Sequence, residues 1–312
     1  MSAFVSALRR YPLKSGKGES LDQMRITANG PSEDRVFMLV DPNGNFISQR
    51  PVYKDPRTEK PVKGFPKLAT VSTGVSDPHE VSFEALGTNK ITLSRKPIDI
   101  LSPENVRTVT IHGKECHGLD MGDDAAAWFS NYLDTECRLV HYNDNKPRYV
   151  DPKYARAGGD KVGFADGMQA LVTSTSSLES LQTASATSHF GMDRFRPNIV
   201  IDGLPAWQED IIAKVKIGEA IFGFVKPCTR CIMTTIDQVT GERDKAPNNP
   251  YAALGEHRKG EGGELSGRFF GQNAAFRGGE ILIGVGQPVE IMEVQPMHPA
   301  VAKAKLGYRP GD

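Results

Sequence analysis

The stretch that decides the fold class runs Arg35-Val36-Phe37-Met38-Leu39, then Asp41-Pro42-Asn43-Gly44-Asn45, then Phe46-Ile47-Ser48-Gln49-Arg50. An Asn-Gly pair between two strand-like runs is typical of a β-hairpin. The 31 glycines and 21 prolines are spread along the whole chain, which suits many short strands joined by turns better than a helical bundle. The sequence therefore predicts a mainly β protein with some α.

Outside this hairpin, the apolar pattern predicts further strands and two helices. Apolar residues at helical spacing predict a helix over Asp123–Leu133. A second helix is expected from Ser176, which has capping-box spacing to Glu179. Residues 238–266 are polar and glycine-rich and are expected to form a long surface loop. Strands are expected near the first residues and at 69–73, 80–83, 90–93, 108–111, 198–201, 214–217, 220–225, 232–236, 275–276, 281–283 and 288–292.

Charge and cysteine content exclude several classes of protein. The 38 basic and 38 acidic side chains give a formal net charge of zero, so a nucleic-acid partner held by counterion release is not expected. Four cysteines in 312 residues are too few for a disulfide scaffold. No apolar stretch approaches the roughly 18 residues that a membrane span needs. We therefore expect a cytoplasmic protein without a membrane span, and the length suggests two domains.

Cys228 and Cys231 form a Cys-x-x-Cys pair whose chemistry the spacing leaves open. Zinc sites usually need a second such pair, and a thioredoxin-like pair would begin a helix, whereas the next residues look strand-like. One thiolate for a soft metal and two small buried hydrophobic side chains both remain as interpretations. A neighbouring Arg230 would help keep a thiol ionised.

Basic residues at turns and strand ends form a second candidate group. An arginine at such a position can donate two hydrogen bonds to one phosphate. The alternative for each of these residues is a solvated charge on the surface. Asp166, between apolar neighbours, is either a partly buried proton carrier or a turn residue before Gly167. The histidines show no paired spacing and are interpreted as structural or surface residues. The basic group comprises Lys14 with Ser15, Arg35, Arg50, Arg194 and Arg196.

Five segments together resemble the MOSC-domain family, most closely the mitochondrial amidoxime-reducing component and its bacterial YcbX-like relatives. The resemblance covers residues 3 to 294, and the segments occur in the family's order. They are Tyr11-Pro12-Leu13-Lys14-Ser15, Asp34-Arg35-Val36-Phe37-Met38, Phe195-Arg196-Pro197-Asn198-Ile199-Val200, Lys226-Pro227-Cys228-Thr229-Arg230-Cys231-Ile232 and Phe270-Gly271-Gln272-Asn273.

The resemblance implies a fold, a cofactor and a set of site residues. The fold is a MOSC N-terminal β-barrel-like domain at 1–120, a MOSC β-barrel domain at 121–296 and a C-terminal tail at 297–312. The cofactor is the molybdenum cofactor, Mo-molybdopterin, with Cys231 as the molybdenum ligand, Cys228 as a nearby non-ligand and Asp166 beside the metal. Arg50 is added to the cofactor site on charge and position alone. The positions that match cofactor contacts are Lys14, Ser15, Arg35, Arg196, Asn198, Thr229 and Arg230.

The resemblance also implies an activity. The expected reaction is two-electron N–O reduction of amidoximes, hydroxylamines and N-hydroxylated base analogues, a detoxifying chemistry, by a monomer. The chain ends without a four-cysteine ferredoxin cluster, so a separate electron donor is expected: cytochrome b5 with its reductase, or a flavin- or ferredoxin-type reductase. The alternatives are a molybdenum-cofactor carrier or sulfur-transfer module, like the C-terminal domain of the pyridoxal-phosphate-binding molybdenum-cofactor sulfurases, and a zinc or redox protein without molybdenum.

Overall fold

The computed structural model describes residues 2–51, 63–95, 103–155, 159–187 and 189–310. The mainly β prediction is confirmed, because strands outnumber helices throughout these ranges. The first ten strands are β1 (Phe4–Arg10), β2 (Glu19–Leu21), β3 (Gln23–Thr27), β4 (Gly30–Pro31), β5 (Phe37–Val40), β6 (Ser72–Gly74), β7 (Glu80–Glu84), β8 (Ile91–Ser94), β9 (Val106–Ile111) and β10 (Lys114–Asp120).

The first α-helix and the elements after it complete the fold. Among the described residues, no helix combines the length and the apolar character needed to cross a bilayer. These elements are α1 (Asp123–Leu133), β11 (Arg138–Tyr142), β12 (Ala170–Ser174), α2 (Thr175–Ala184), β13 (Ile199–Asp202), β14 (Ile212–Ile217), β15 (Ala220–Arg230), α3 (Pro250–His257), β16 (Lys259–Gly262), β17 (Leu265–Arg277), β18 (Ile281–Gly284), β19 (Val289–Val294) and α4 (Pro299–Ala302).

The largest sheet joins the first strand of the chain to strands from its second half. Its order is β19-β14-β15-β17-β12-β13-β1-β2, with β16 paired to β17. Only the β12–β13 pair in this sheet is parallel, among the strands described. One face of the sheet buries a continuous apolar cluster that includes Leu8, Ile199, Phe222 and Phe276. Burial of this face supplies the main driving force for the sheet, since each large apolar side chain contributes about 1.5–3 kcal/mol.

Three smaller sheets contain the other strands of the first half of the chain, and one of them also includes β18 from near its end. Their orders are β5-β11-β10-β9, β6-β7-β8 and β18-β3-β4. Helix α1 has the predicted bounds, Asp123–Leu133, and buries Ala125, Phe129 and Leu133 against this region. Those three positions share one side of a 3.6-residue helix, and Phe129 meets Phe83 of β7 edge to face at 5.1 Å.

The predicted hairpin at 35–50 is present, but its second arm is shorter than expected. Phe46 bridges Val40, and the backbone N–H of Ile47 donates to the Leu39 carbonyl at 2.8 Å. Gly44 in the turn has φ +81°, which favours glycine. The chain then leaves the ladder because the Gln49 side chain donates to the carbonyl of Ser15 at 2.6 Å. Residues 48–50 therefore face the site described below and do not form a strand.

Local side-chain hydrogen bonds explain two further differences. The second helix is confirmed, but the capping-box prediction was wrong: Ser174 is the N-cap residue, and the Ser176 hydroxyl donates to the Leu204 carbonyl at 2.6 Å. The strand predicted at 232–236 is a 3-10 helix, Ile232–Thr235. The hydroxyls of Thr234 and Thr235 donate to carbonyls three residues earlier, which favours a helical turn over a β-strand.

Two other segments also differ from prediction. The loop expected at 238–266 contains α3 and β16, because Asn249 caps α3 by accepting from the Ala252 N–H at 3.0 Å and Pro250 begins the helix. The strand expected at 69–73 is replaced by a 3-10 helix, Pro66–Thr70, before β6 begins. A proline at the start of a turn of helix is compatible with its fixed φ.

Candidate functional site

All ten residues singled out as site residues line one cavity, here called the cleft. Its volume is about 160 Å³. The sequence places these residues on segments more than a hundred positions apart, and the large sheet brings the segments together. The ten are Lys14, Ser15, Arg35, Arg50, Asp166, Arg196, Asn198, Thr229, Arg230 and Cys231.

Cys231 lies at the end of β15, where the strand gives way to the 3-10 helix. Strand β15 pairs with β17 as far as Arg230, and the Cys231 carbonyl then accepts from the Thr234 N–H. The Arg230 guanidinium contacts Cys228, whose Sγ accepts from Arg230 Nη1 at 2.9 Å. Residues two apart in a strand share a face, which explains why Arg230 meets Cys228. The Cys231 thiol remains half-exposed, is not in a disulfide and lines the cleft.

Lys14 and Ser15 enter the cleft from a tight turn after Leu13. Ser15 has φ +69°, and the Gly16 N–H donates to the Leu13 carbonyl at 2.9 Å. The turn aims Lys14 across the cleft, where its Nζ lies 2.5 Å from a carboxylate oxygen of Asp166. Burial lowers the pKa of the Lys14 ammonium, and the Asp166 charge opposes that shift. The pair therefore fixes one cation and one anion at the wall of the cleft.

The Asp166 carboxylate faces open space and contacts two basic groups. Its side chain is 75% exposed, which favours the turn-residue interpretation over a partly buried carboxyl. His112 Nε2 lies 3.1 Å from the oxygen that Lys14 also contacts. Desolvation raises the pKa of Asp166, but Lys14 and His112 outweigh it and hold that pKa well below its usual value. The carboxylate is therefore ionised near neutral pH.

His112 and Arg148 are site residues that the sequence did not reveal. His112, interpreted as structural or surface, sits in the turn between β9 and β10 with φ +50°. Arg148 donates to the carbonyls of Gly163, Ala165 and Asp166 at 3.1, 2.5 and 3.1 Å, and so holds the loop that carries the carboxylate. Neither residue lies in a periodic pattern, so only spatial proximity reveals them.

Arg35 and Asn198 form a buried hydrogen-bonded unit beside the cleft. Arg35 Nη1 donates to Asn198 Oδ1 at 3.1 Å and also binds Asp34. Asn198 Oδ1 accepts from the Leu171 N–H as well, and its Nδ2 donates to Asp34 and to the Arg9 carbonyl. The Asn198 amide makes all of its hydrogen bonds to protein groups. Its role in the cleft is therefore to position Arg35.

Several cations of the cleft have hydrogen-bonding capacity that the protein does not fill. Burial, with the nearby Arg35 charge, lowers the pKa of Arg196 to about 10. Among the described residues, four buried guanidinium nitrogens have no hydrogen-bond partner, and three of them belong to arginines that line this cleft. An unfilled buried donor costs about 1–3 kcal/mol, more for a charged group. An anionic oxygen would remove that cost, so the donor set fits a phosphate-bearing ligand. The three are Arg50 Nε, Arg194 Nη1 and Arg230 Nε.

Comparison with known proteins assigns both halves of the chain. The MOSC N-terminal beta barrel domain matches residues 2–136, and the MOSC domain matches residues 159–290. Mitochondrial amidoxime-reducing component 1 of Mus musculus is 32% identical over 299 residues, which cover 92% of this chain and 82% of that protein. Component 2 of Bos taurus is 30% identical over 261 residues, which cover 81% of this chain and 72% of that protein.

A relative with a different name shares the same region. The molybdenum cofactor sulfurase of Oryza sativa subsp. japonica is 26% identical over 270 residues, covering 82% of this chain but 31% of that protein. The two matched domains and the amidoxime-reducing relatives account for nearly the whole chain. The chain therefore belongs to the MOSC-domain family, together with the mitochondrial amidoxime-reducing components.

Proposed function

We propose that the cleft binds the molybdenum cofactor and that the protein reduces N-hydroxylated compounds. The observation that carries this proposal is that the free cysteine Cys231 lines one cavity together with three arginines that each have an unfilled guanidinium nitrogen. A thiolate is a suitable ligand for a soft metal, and arginine forks suit a phosphate. Cys231 would hold molybdenum, while Arg50, Arg194 and Arg230 would bind the anionic end of the cofactor.

The remaining residues of the cleft would bind the cofactor and orient the side chains that contact it. Arg196, over the Tyr11 ring at 4.2 Å, donates to the Gly16 carbonyl and presents the rest of its guanidinium to the ligand. Ser15 and Thr229 add hydroxyls, and Asn198 fixes Arg35. When bound, the cofactor supplies two-electron redox chemistry at a sulfur-ligated metal.

The proposed reaction needs protons as well as electrons. Each turnover breaks the N–O bond, consumes two electrons and two protons, and converts an amidoxime to an amidine and water. Asp166 is the anionic group at the reacting end of the cleft, with its charge set by Lys14 and His112. We infer that this carboxylate assists proton transfer by fixing the Lys14 ammonium, whose pKa is lowered by burial, as the proton donor to the departing oxygen. The electrons would come from a separate protein, either cytochrome b5 with its reductase or a flavin- or ferredoxin-type reductase.

A cofactor carrier or sulfur-transfer module is the second candidate. The similarity to the molybdenum cofactor sulfurase of rice favours it, because that relative matches over most of this chain. The same cations and thiol would then hold the cofactor or a transferred sulfur without reducing an external substrate. The two candidates share the binding site and differ in turnover.

The Cys231→Ala variant tests the proposal, with Cys228→Ala as a matched control. Both proteins are prepared from a host that makes the molybdenum cofactor. We expect wild type to carry about one molybdenum per chain and to reduce benzamidoxime with an artificial electron donor. Cys231→Ala should lose all detectable turnover because the metal ligand is gone. Cys228→Ala should keep most of it, since its Sγ contacts Arg230 and lies outside the cleft lining.

Elemental analysis and the assay together separate the candidates. Molybdenum with no benzamidoxime reduction in wild type would favour the carrier. Zinc in place of molybdenum would defeat both. Turnover that is retained in Cys231→Ala would show that Cys231 is not the metal ligand.

A further inference from the structure

Two arginines of the cleft lie over one aromatic ring. The guanidinium carbon of Arg35 is 4.4 Å from the centroid of the Tyr11 ring, and that of Arg196 is 4.2 Å from it. Tyr11 is fully buried and does not itself line the cleft, whereas both arginines do. The ring therefore contacts the two cations from inside the protein, while the same cations remain available to a ligand in the cleft.

These two arginines are held in an unfavourable arrangement. Arg35 Nη2 donates to the backbone carbonyl of Arg196 at 3.3 Å, which brings two like charges into one neighbourhood. Burial, together with the Arg35 charge, lowers the pKa of Arg196. Both residues also have a left-handed backbone, with φ +50° at Arg35 and +54° at Arg196. Residues other than glycine adopt this conformation mainly where the surrounding structure enforces it. The pair therefore requires support from other groups.

The Tyr11 ring provides this support, above all for Arg196. Arg35 forms an ion pair with Asp34. Within the described residues, Arg196 has no ion-pair partner, and its guanidinium donates to the Gly16 carbonyl at 2.6 Å. An aromatic face attracts a guanidinium electrostatically, and most strongly where water is excluded. The ring thus offsets part of the repulsion between the two cations and fixes their positions.

The position of the Tyr11 ring is determined by its own neighbours. The Tyr11 N–H donates to the Asp34 carboxylate at 2.8 Å, and the Tyr11 carbonyl accepts from the Arg35 N–H at 2.8 Å. A Cβ built at Gly18 would lie 2.3 Å from Cε1 of the ring, so the Gly18 backbone packs directly against it. The φ of Gly18 lies outside the left-handed range, so this contact accounts for the glycine. The ring therefore has little room to move on that side.

The hydroxyl of Tyr11 takes no part in these contacts. Its oxygen is buried and has no hydrogen-bond partner among the described residues. Burial raises the pKa of this hydroxyl, so it stays protonated and neutral near pH 7. The contribution of Tyr11 therefore comes from its ring, which phenylalanine would also supply.

We propose that Tyr11 is a positioning residue of the binding site: its ring holds the guanidinium groups of Arg35 and Arg196 together so that both meet one anionic group. A pair that is already ordered binds more tightly, because less freedom is lost when the ligand arrives. The inference rests on the proposed function for the identity of that group, the phosphate of the molybdenum cofactor. The paired arginines themselves can be tested with inorganic phosphate.

Calorimetric titration of the full chain with inorganic phosphate tests the proposal, on protein from a host that makes no molybdenum cofactor. Tyr11→Leu should bind phosphate about tenfold more weakly than wild type, since two cation–ring contacts are lost. Tyr11→Phe keeps the ring and should bind within about twofold of wild type. If Tyr11→Leu does not fold, Tyr11→Met takes its place, because methionine fills irregular space without a ring.

Phe83→Leu is the matched control for the loss of a buried ring. Phe83 is also 0% exposed, and it lines neither the cleft nor a second cavity of about 640 Å³ that meets the cleft at Asp166. Its ring packs on Phe37 and Phe129. Phe83→Leu should lose stability in urea denaturation, as Tyr11→Leu does, but should keep the phosphate affinity of wild type.

A double-mutant cycle separates positioning from packing. In the Arg196→Met background, Tyr11→Leu should weaken phosphate binding by about threefold or less, because only the contact with Arg35 remains to be lost. A role in packing alone would give the same factor in both backgrounds, and that result would overturn the proposal. So would a Tyr11→Phe protein that binds as weakly as Tyr11→Leu, since the hydroxyl would then be responsible.

The molybdenum content of protein from a cofactor-producing host distinguishes the two possible failures. The predicted order of phosphate affinities in a protein that acquires no molybdenum would overturn the proposed function and leave the role of Tyr11 standing. Equal phosphate affinity in wild type and Tyr11→Leu, in a protein that does acquire molybdenum, would overturn the role of Tyr11 alone. Wild-type protein that binds no phosphate would overturn the paired-arginine site itself.

Discussion

Arg258 and the arginines of the cleft show two uses of one side chain within the same protein. Arg258 is 1% exposed, and its Nη2 donates to both carboxylate oxygens of Asp210 at 3.1 and 2.8 Å. Its Nη1 donates to the Leu306 carbonyl at 2.7 Å, and its guanidinium lies 4.2 Å from the Trp207 ring centroid. No nitrogen of Arg258 is without a partner, and the side chain contacts neither cavity.

The cleft arginines are also held by the protein, but incompletely. Arg230 donates to the Phe195 carbonyl at 2.6 Å and to Cys228, while its Nε has no partner. Arg194 binds Asp237 through Nη2, and its Nη1 has no partner. All the hydrogen-bond donors of the structural Arg258 are satisfied within the protein. Arg194 and Arg230 are oriented by the fold but each keeps one unsatisfied donor. Burial alone does not separate the two uses; unfilled donors do.

Removing Arg258 should produce the largest effect on stability. Arg258→Met leaves the Asp210 carboxylate buried without its cation, so we expect the free energy of unfolding to fall by about 3–5 kcal/mol. Arg268→Met is the control, because Arg268 stacks on Tyr251 away from both cavities and should cost about 1 kcal/mol or less. Chemical denaturation measures both. Equal losses would contradict the structural role assigned to the buried Arg258–Asp210 pair.

The acid next to Asp210 should give a smaller effect that depends on pH. Burial and the Asp210 charge raise the pKa of Glu209 to about 7 from 4.5. The folded protein thus holds a proton that the unfolded chain releases, so this group makes the free energy of unfolding fall as pH rises from 4.5 to 7. Glu209→Gln stays neutral and should be more stable than wild type above pH 7, by up to about 3 kcal/mol.

Below pH 4.5 the same variant should differ little from wild type. Urea denaturation at pH 4.5, 6 and 8 gives the comparison, with the exposed Glu219→Gln as a variant expected to show no such trend. A Glu209→Gln advantage that does not grow with pH would show that the carboxyl is already ionised in the folded state.

Arg196→Met should have the smallest effect on stability and a large effect on cofactor retention. Loss of one charged fork should weaken cofactor retention about 10- to 100-fold, as for the loss of a charged hydrogen bond of about 1.5–3 kcal/mol. Stability should change by about 1 kcal/mol or less, because the lost hydrogen bond to Gly16 is offset by relief of repulsion from Arg35. Arg196→Lys should retain more cofactor than Arg196→Met and less than wild type. Molybdenum per folded chain after gel filtration, with unfolding curves, is the measurement. Full molybdenum content in Arg196→Met would place the anion elsewhere.

Local patterns predicted the elements that depend on local physics. Helix α1 was predicted with its observed bounds because one apolar stripe at 3.6-residue spacing determines it. The 3-10 helix after Cys231 was missed because hydroxyl-to-carbonyl bonds of Thr234 and Thr235 override a strand-like composition. A residue pattern shows propensity but not which carbonyl a hydroxyl will reach.

All of the predicted site except Arg50 came through resemblance, and the reason is distance along the chain. Lys14 and Asp166 are 152 positions apart, and no local pattern relates them. Charge and position marked Arg50, which does line the cleft, but His112 and Arg148 carried no signal at all. Their roles follow from the turn and the loop that the sheets bring to Asp166.

The pairing of β1 with β13 also has a consequence for synthesis. Phe4 leaves the ribosome long before its ladder partner, Asp202. Until that region emerges, β1 has an unpaired edge, and contacts of such high sequence separation form slowly. The cleft is lined by Cys231 as well, so it cannot be complete before residue 231 has been made. Chains stalled before β13 expose an apolar strand that chaperones would have to shield.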